Sequence, residues 1–173
     1  MVGWVLGGVA AAAALLLAAF TLSFRTGFRP VLDVVRRFNR SVTNPRQLPG
    51  AGLPGASTSV VHHVGRTTGT EYATPVVAVP TADGYLFALP YGPGADWVRN
   101  VRAAGTATVQ HDGRALRVDH PELVPAADAD PHFDAAEQRM HRIFGVDDFL
   151  RVRRSAAQPT TQPTTQPATS AKG

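Results

Sequence analysis

Val2 to Phe24 is a run of 23 residues without a charged side chain, and no other feature limits the fold of this chain as strongly. At about 1.5 Å per residue, a helix of that length covers the roughly 30 Å hydrocarbon core of a bilayer. A secretory signal peptide would need a basic segment followed by an apolar core of about 7–15 residues. Nothing basic precedes Trp4. The run is therefore predicted to be an uncleaved, single-pass membrane anchor over residues 1–27. No Lys or Arg lies before it, whereas Arg25, Arg29, Arg36, Arg37 and Arg40 lie after it. The positive-inside rule then places the rest of the chain on the cytoplasmic side of the cell membrane. Gly3 and Gly7 form a small-xxx-small pair of the kind that packs two such helices into a homodimer.

The apolar excess ends with the anchor. Hydrophobic residues make up 44% of the 173 positions and charged residues 17%, but the chain beyond the anchor is long enough for one ordinary domain. There is no cysteine, which excludes disulfides, thiolate metal sites, iron–sulfur clusters and Cys nucleophiles. Any redox chemistry must then borrow a cofactor. The net charge of +4 comes from 16 Arg and a single Lys against 13 acids. Several of these arginines come directly after the anchor, where they suit anionic lipid better than a nucleic-acid groove, so lipid and not nucleic acid is the expected partner.

Pro30 suits a first helical turn, and Val31, Val34, Val35, Phe38 and Val42 recur at helical spacing among arginines. They predict an amphipathic juxtamembrane helix over residues 28–45, ended by Asn44-Pro45. Residues 46–57 carry three Gly and two Pro and read as a linker. The folded domain is expected over residues 58–154. Thr58 to Val64, Tyr72 to Pro80 and Tyr85 to Leu89 are β-branched or apolar runs, and Thr106 to His111 and Ala115 to His120 flank the hairpin dipeptide Asp112-Gly113. Between them, Asp96 can cap a short helix that stops at Gly105, and Pro131 to Arg154 reads as one or two terminal helices. Successive strands with short connections predict an α+β fold, an antiparallel split or half-closed β-barrel of about six strands with one inserted helix and terminal helices. Crossover helices for a doubly wound parallel sheet are missing. Residues 155–173 alternate Pro, Thr and Gln and cannot build a core.

Two loops hold the residues that could carry chemistry. Gly65-Arg66-Thr67-Thr68-Gly69-Thr70 offers backbone N–H groups, hydroxyls and a guanidinium, the donors that a phosphate or carboxylate needs; a plain polar hairpin loop has the same composition. Pro90-Tyr91-Gly92-Pro93-Gly94-Ala95 leads into a helix bearing Trp97, Arg99 and Asn100. Trp97 is a core anchor or a ring-stacking residue, and Asn100 is either structural or a hydrogen-bonding partner for a polar ring edge. His62 and His63 are adjacent on a strand, point to opposite faces and cannot share an ion. His132, Glu137 and His141 lack standard ligand spacing, so no metal is expected. Gly-x-Ser-x-Gly, Walker and paired-carboxylate patterns are absent, which removes the common hydrolase and nucleoside-triphosphatase readings.

Three segments resemble one family. They are Phe38-Asn39-Arg40-Ser41-Val42-Thr43-Asn44-Pro45, then His63 through Val76 with its Gly-Arg-Thr-Thr-Gly-Thr core, then Asp96-Trp97-Val98-Arg99-Asn100-Val101-Arg102-Ala103. In this order, and over residues of about 38 to 120, the chain resembles the deazaflavin (F420)-dependent nitroreductase and quinone-reductase family of actinobacteria, whose split β-barrel is shared with flavin-binding oxidases. The resemblance implies that Arg66, Thr67, Thr68, Gly69 and Thr70 hold the phosphate and acidic tail of the coenzyme. It also implies that Pro75, Val76 and Val77 line the deazaflavin ring, that Tyr91 and Gly92 close over it, and that Trp97 and Asn100 form the Trp-x-x-Asn pair of the family. The chain has Pro90-Tyr91-Gly92 where many members carry Ser-Lys-Gly-Gly, and Thr67 where many carry Arg or Lys.

The function implied is hydride transfer from reduced F420 to a small-molecule acceptor, a quinone, nitro compound or enone, with Tyr91 as catalytic donor to the charge that develops on it. A membrane anchor would bring the domain to lipid-soluble quinones. An FMN-binding split-barrel reductase and a non-catalytic cofactor-binding module are the alternatives.

Overall fold

The computed structural model describes residues 18, 21, 22, 26, 29–38 and 43–156. The expected anchor lies almost wholly outside the described residues, as do residues 39–42 of the first family-like segment and the Pro/Thr/Gln tail. Among the described residues no helix is long and apolar enough to cross a membrane.

Two short helices precede the sheet, α1 (Arg29–Phe38) and α2 (Asn44–Gln47); residues 39–42 between them, part of the expected helix over residues 28–45, lie outside the described residues. Val34 and Phe38, expected on an apolar face, are exposed. The Gly- and Pro-rich stretch after α2 is mostly exposed but is tied to the rest of the fold. Ala51 is buried, the Gly113 N–H donates to the Gly52 carbonyl at 2.7 Å, and the Gly55 N–H donates to Asp112 Oδ1 at 2.8 Å.

Among the described residues seven strands form one antiparallel sheet: β1 (Ser59–Val64), β2 (Glu71–Val76), β3 (Val79–Pro80), β4 (Gly84–Ala88), β5 (Thr106–His111), β6 (Arg114–Pro125) and β7 (Asp148–Arg154). Their spatial order is β2-β1-β5-β6-β7-β4-β3. The two edge strands, β2 and β3, are consecutive in sequence and joined only by Val77 and Ala78. Such a link spans at most about 10 Å, so the sheet must curl until its edges approach. The result is a curled half-barrel, consistent with the expected split barrel. The run Tyr72 to Pro80, read as one strand, is thus two strands that serve opposite edges.

Helix α3 (Asp96–Ala104) lies between β4 and β5. Ala95 is its N-cap and Asp96 its first helical residue, so Asp96 does not cap it as expected; Gly105 in the left-handed region ends it. After β6 come α4 (Ala126–Ala129), a 3-10 turn (Asp130–His132) and α5 (Ala135–Phe144). A reciprocal capping box of Asp134 and Glu137 starts α5. The predicted terminal helices extended to Arg154, but helix ends at Gly145 and the chain returns as β7. Leu150 and Val152 alternate there with Arg151 and Arg153, a period of two that only a strand satisfies.

At Asp112-Gly113 both residues have positive φ, 47° and 73°, which the tight turn between β5 and β6 requires. β6 runs past its expected end at His120 through a bulge between Asp119 and Glu122, which accommodates Pro121. The core has two parts. Val61, Phe87, Val98, Val109, Val118 and Leu150 fill the inside of the curl, while Leu86, Val124, Phe133, Val146 and Phe149 pack under the C-terminal helices. β4 is buried on both faces, as is β7 at Phe149 and Leu150, and there the two strands divide the core.

Candidate functional site

A cleft of about 940 Å³ opens beside the edge strand β2. One wall is Thr74, Pro75, Val76 and Val77, and the loop after β4 supplies Leu89, Tyr91 and Gly92. Trp97 and Asp96 enter from the start of α3, and Phe133, Met140, His141 and Phe144 come from the C-terminal helices. Asp33 and Arg37 of α1 reach its rim. Among the described residues β2 has only β1 as a neighbour, so the backbone groups on its other side have no ladder partner there. Trp97 packs edge-on against Phe87 at 5.6 Å, as a core anchor does, and also lines the cleft.

The Gly65–Thr70 turn sits at one end of β2, outside the cleft wall. Gly65 is required by close packing, because a Cβ there would lie 2.7 Å from Thr68 Oγ1 and 2.9 Å from the Tyr72 ring. Gly69 has φ +68° and closes the turn with its N–H on the Gly65 carbonyl at 2.9 Å. Thr68 Oγ1 accepts from the Thr70 N–H at 3.3 Å. The N–H groups of Thr67 and Thr68 donate to no described residue, and the turn from Arg66 to Thr70 is exposed.

Arg66 ties this turn to the cleft. Its Nη1 donates to Asp96 Oδ1 at 3.3 Å and to Asn100 Oδ1 at 2.9 Å, and its backbone N–H donates to the same Asn100 oxygen at 3.2 Å. Nε and Nη2 of Arg66 donate to no described residue, which leaves a two-pronged edge for an anion. The ion pair with Asp96 is solvent-accessible and contributes little to stability. Asn100 is buried, 5% exposed, and its Nδ2 donates to His63 Nδ1 at 3.2 Å. His63 is 6% exposed, stacks on Tyr72, and reaches Thr74 Oγ1 through Nε2 at 3.0 Å. A polar line therefore runs from the turn through Arg66, Asn100 and His63 to Thr74 in the cleft wall.

No protein-family model matches the chain, and no curated protein matches it. The solved structures it is similar to include F420 reductases. One is described as the F420-H2-dependent reductase FDR-A, 13% identical, with a TM-score of 0.42 over 56% of this chain and 94% of that one. A second F420 reductase is 15% identical, with a TM-score of 0.38 over 58% of this chain and 86% of that one. A domain-swapped dimer is 16% identical, with a TM-score of 0.47 over 70% of this chain and 98% of that one. Likenesses this distant assign nothing to the present chain.

Of the residues singled out from sequence, Pro75, Val76, Val77, Tyr91, Gly92 and Trp97 are brought together in the cleft. Arg66 is one hydrogen bond from its wall, through Asp96, and Asn100 is two, through His63 and Thr74, while Thr67, Thr68, Gly69 and Thr70 stay on the outer turn. Sequence reading missed Thr74 and His63 as a linked pair and missed the C-terminal wall. His141 stands out there. Its ring packs edge-on against Phe133 at 4.7 Å and Phe149 at 5.1 Å, and its buried Nδ1 has no hydrogen-bond partner among the described residues. Burial holds the His141 pKa below its usual value, partly offset by the nearby carboxylates Asp130 and Glu137.

Proposed function

We propose that this chain is an oxidoreductase that binds coenzyme F420, its deazaflavin ring in the cleft and its anionic arm on the Gly65–Thr70 turn. The observation that carries this reading is the Arg66–Asp96–Asn100 junction, which joins an exposed donor-rich turn to an apolar cleft with an unpaired strand edge. A planar heteroaromatic ring with a polar rim and a phosphate-bearing arm needs both parts. The residues present fit that group: Trp97, Val76, Leu89 and Tyr91 supply ring-sized apolar walls, the β2 edge supplies backbone donors and acceptors, and Arg66 keeps unused N–H groups.

Reduced F420, when bound, would supply a hydride to a quinone, nitro compound or enone. The chain's own residues orient and enclose. Trp97 and Phe133 wall the cleft with apolar surface that limits water, and the Tyr91 hydroxyl donates to the acceptor oxygen as negative charge develops. Residues 1–27 would anchor the domain at the cytoplasmic face, within reach of membrane quinones, and pairing through Gly3 and Gly7 would give a homodimer. Exposed Val34 and Phe38 on α1 suit such a lipid surface.

The test is turnover by the full chain in detergent or lipid vesicles, with reduced F420 and a panel of menaquinone, nitroarene and enone acceptors. Oxidation of the coenzyme with at least one acceptor is the expected result. Coenzyme binding without turnover across the panel would leave a non-catalytic module, and a yellow preparation with a flavin spectrum would mean FMN. Protease digestion of sealed, right-side-out vesicles checks the orientation: the domain should be protected.

A further inference from the structure

Asn100 is held in one orientation by its partners. The backbone N–H and Nη1 of Arg66 both donate to the same amide atom, at 3.2 and 2.9 Å, and only an oxygen accepts two such bonds. The opposite amide atom, Nδ2, has hydrogens alone to offer, and it faces His63 Nδ1 at 3.2 Å. That ring nitrogen must accept. A neutral imidazole that accepts at Nδ1 carries its proton on Nε2, which lies 3.0 Å from Thr74 Oγ1. Thr74 is the acceptor in this last bond, so its own hydroxyl hydrogen has to turn elsewhere. No described residue accepts it, and Thr74 stands in the cleft wall.

We propose that Thr74 donates its hydroxyl hydrogen to an acceptor atom, a carbonyl oxygen or bare ring nitrogen, on the edge of the ring bound in the cleft, and that Arg66, Asn100 and His63 are positioning residues that set this polarity. The inference rests on the deazaflavin reading of the cleft for the identity of the ring. Its direction comes from the hydrogen-bond line alone. A ring edge presenting an acceptor at this point takes up that hydrogen, whereas an N–H there could use only the second lone pair of Oγ1 and would leave the hydroxyl hydrogen without a partner in the cleft wall. The anion turn and the ring wall are thus joined by one chain of bonds with a single sense, from Arg66 outward to the ligand.

The experiment uses the full chain in detergent micelles, titrated with oxidised F420 and in parallel with FMN, and followed by ring absorbance. Thr74→Val is expected to weaken binding about tenfold, the effect of about 1.4 kcal/mol, and to displace the bound ring's absorption band. Thr74→Ser, which keeps the hydroxyl, should stay within about twofold of the unsubstituted chain, as expected if only the hydroxyl bond is read. His63→Phe keeps a ring beside Tyr72 but neither hydrogen bond; at saturating coenzyme it should move the band in the same sense as Thr74→Val. Nitrogen-15 NMR of the ligand-free chain should show His63 as the Nε2–H tautomer. Unchanged affinity in Thr74→Val, an equal loss in Thr74→Ser, or an Nδ1–H tautomer at His63 overturns the proposal. If FMN binds and F420 does not, the deazaflavin reading fails and the Thr74 ratio is judged on FMN; binding of neither ring overturns both.

Discussion

The two ends of the cleft are built in opposite ways. Around Asn100 the polar groups are linked donor to acceptor, and buried side chains that would be costly alone are satisfied in series. Around Phe133 the wall is aromatic and aliphatic, and the buried Nδ1 of His141 has no partner among the described residues. The first end is specified by hydrogen-bond direction and the second by shape. A linked polar end fixes how a ligand must present its atoms, while an apolar end asks only that it fit.

Four variants break or sharpen this contrast. The largest effect is expected at the apolar end. Phe133 is buried against Phe149 and His141, so Phe133→Ala should lower unfolding free energy in urea by about 3 kcal/mol. A loss under about 1 kcal/mol would mean the wall is not core at all. Next is Asn100→Leu, which strands the Arg66 N–H and His63 Nδ1; about 2 kcal/mol of stability should go, with coenzyme affinity. A neutral result there would dissolve the polar line.

His141→Leu should change the response to acid. Because burial depresses the folded pKa of His141 below 6.5, the unfolded chain takes up the proton first. Its contribution to stability is complete above that value and declines as pH falls through it toward the folded pKa. The unsubstituted chain should therefore lose more stability than His141→Leu between about pH 7.5 and pH 5.5, read by urea unfolding at each pH. Equal slopes would place the acid sensitivity elsewhere. The smallest effect on stability, under about 0.5 kcal/mol, is expected for Thr67→Ala combined with Thr68→Ala on the exposed turn. The same pair should weaken binding of the anionic coenzyme a few-fold, as expected for lost hydroxyl bonds.

The contrast also explains which parts were legible in the sequence. The turn and β2 form a contiguous stretch, so Arg66 through Val77 could be recognised as one unit from local residue types, and the Asp112-Gly113 hairpin and the Gly105 helix stop are equally local. The division of Tyr72–Pro80 between two sheet edges was not legible, since nothing in the residues between Val76 and Val79 announces that the chain changes partner. β7 was missed although Leu150 and Val152 alternate with arginines, because the helical pattern of α5 runs up to Gly145 immediately before it. The Phe133 wall depends on a long-range fold-back of the chain onto the loop after β4, and His63 became part of the site only through a helix 37 positions away.

Arg66 is where the turn and the cleft meet, and its substitution tests the central claim most directly. The full chain and Arg66→Met should be titrated with F420 at low and at high salt. The account requires binding by the unsubstituted chain that weakens with salt, and a loss of about tenfold or more in Arg66→Met together with most of the salt dependence. Equal affinities for the two chains, or affinity indifferent to salt, would contradict an anion-binding turn joined to a ring-binding cleft.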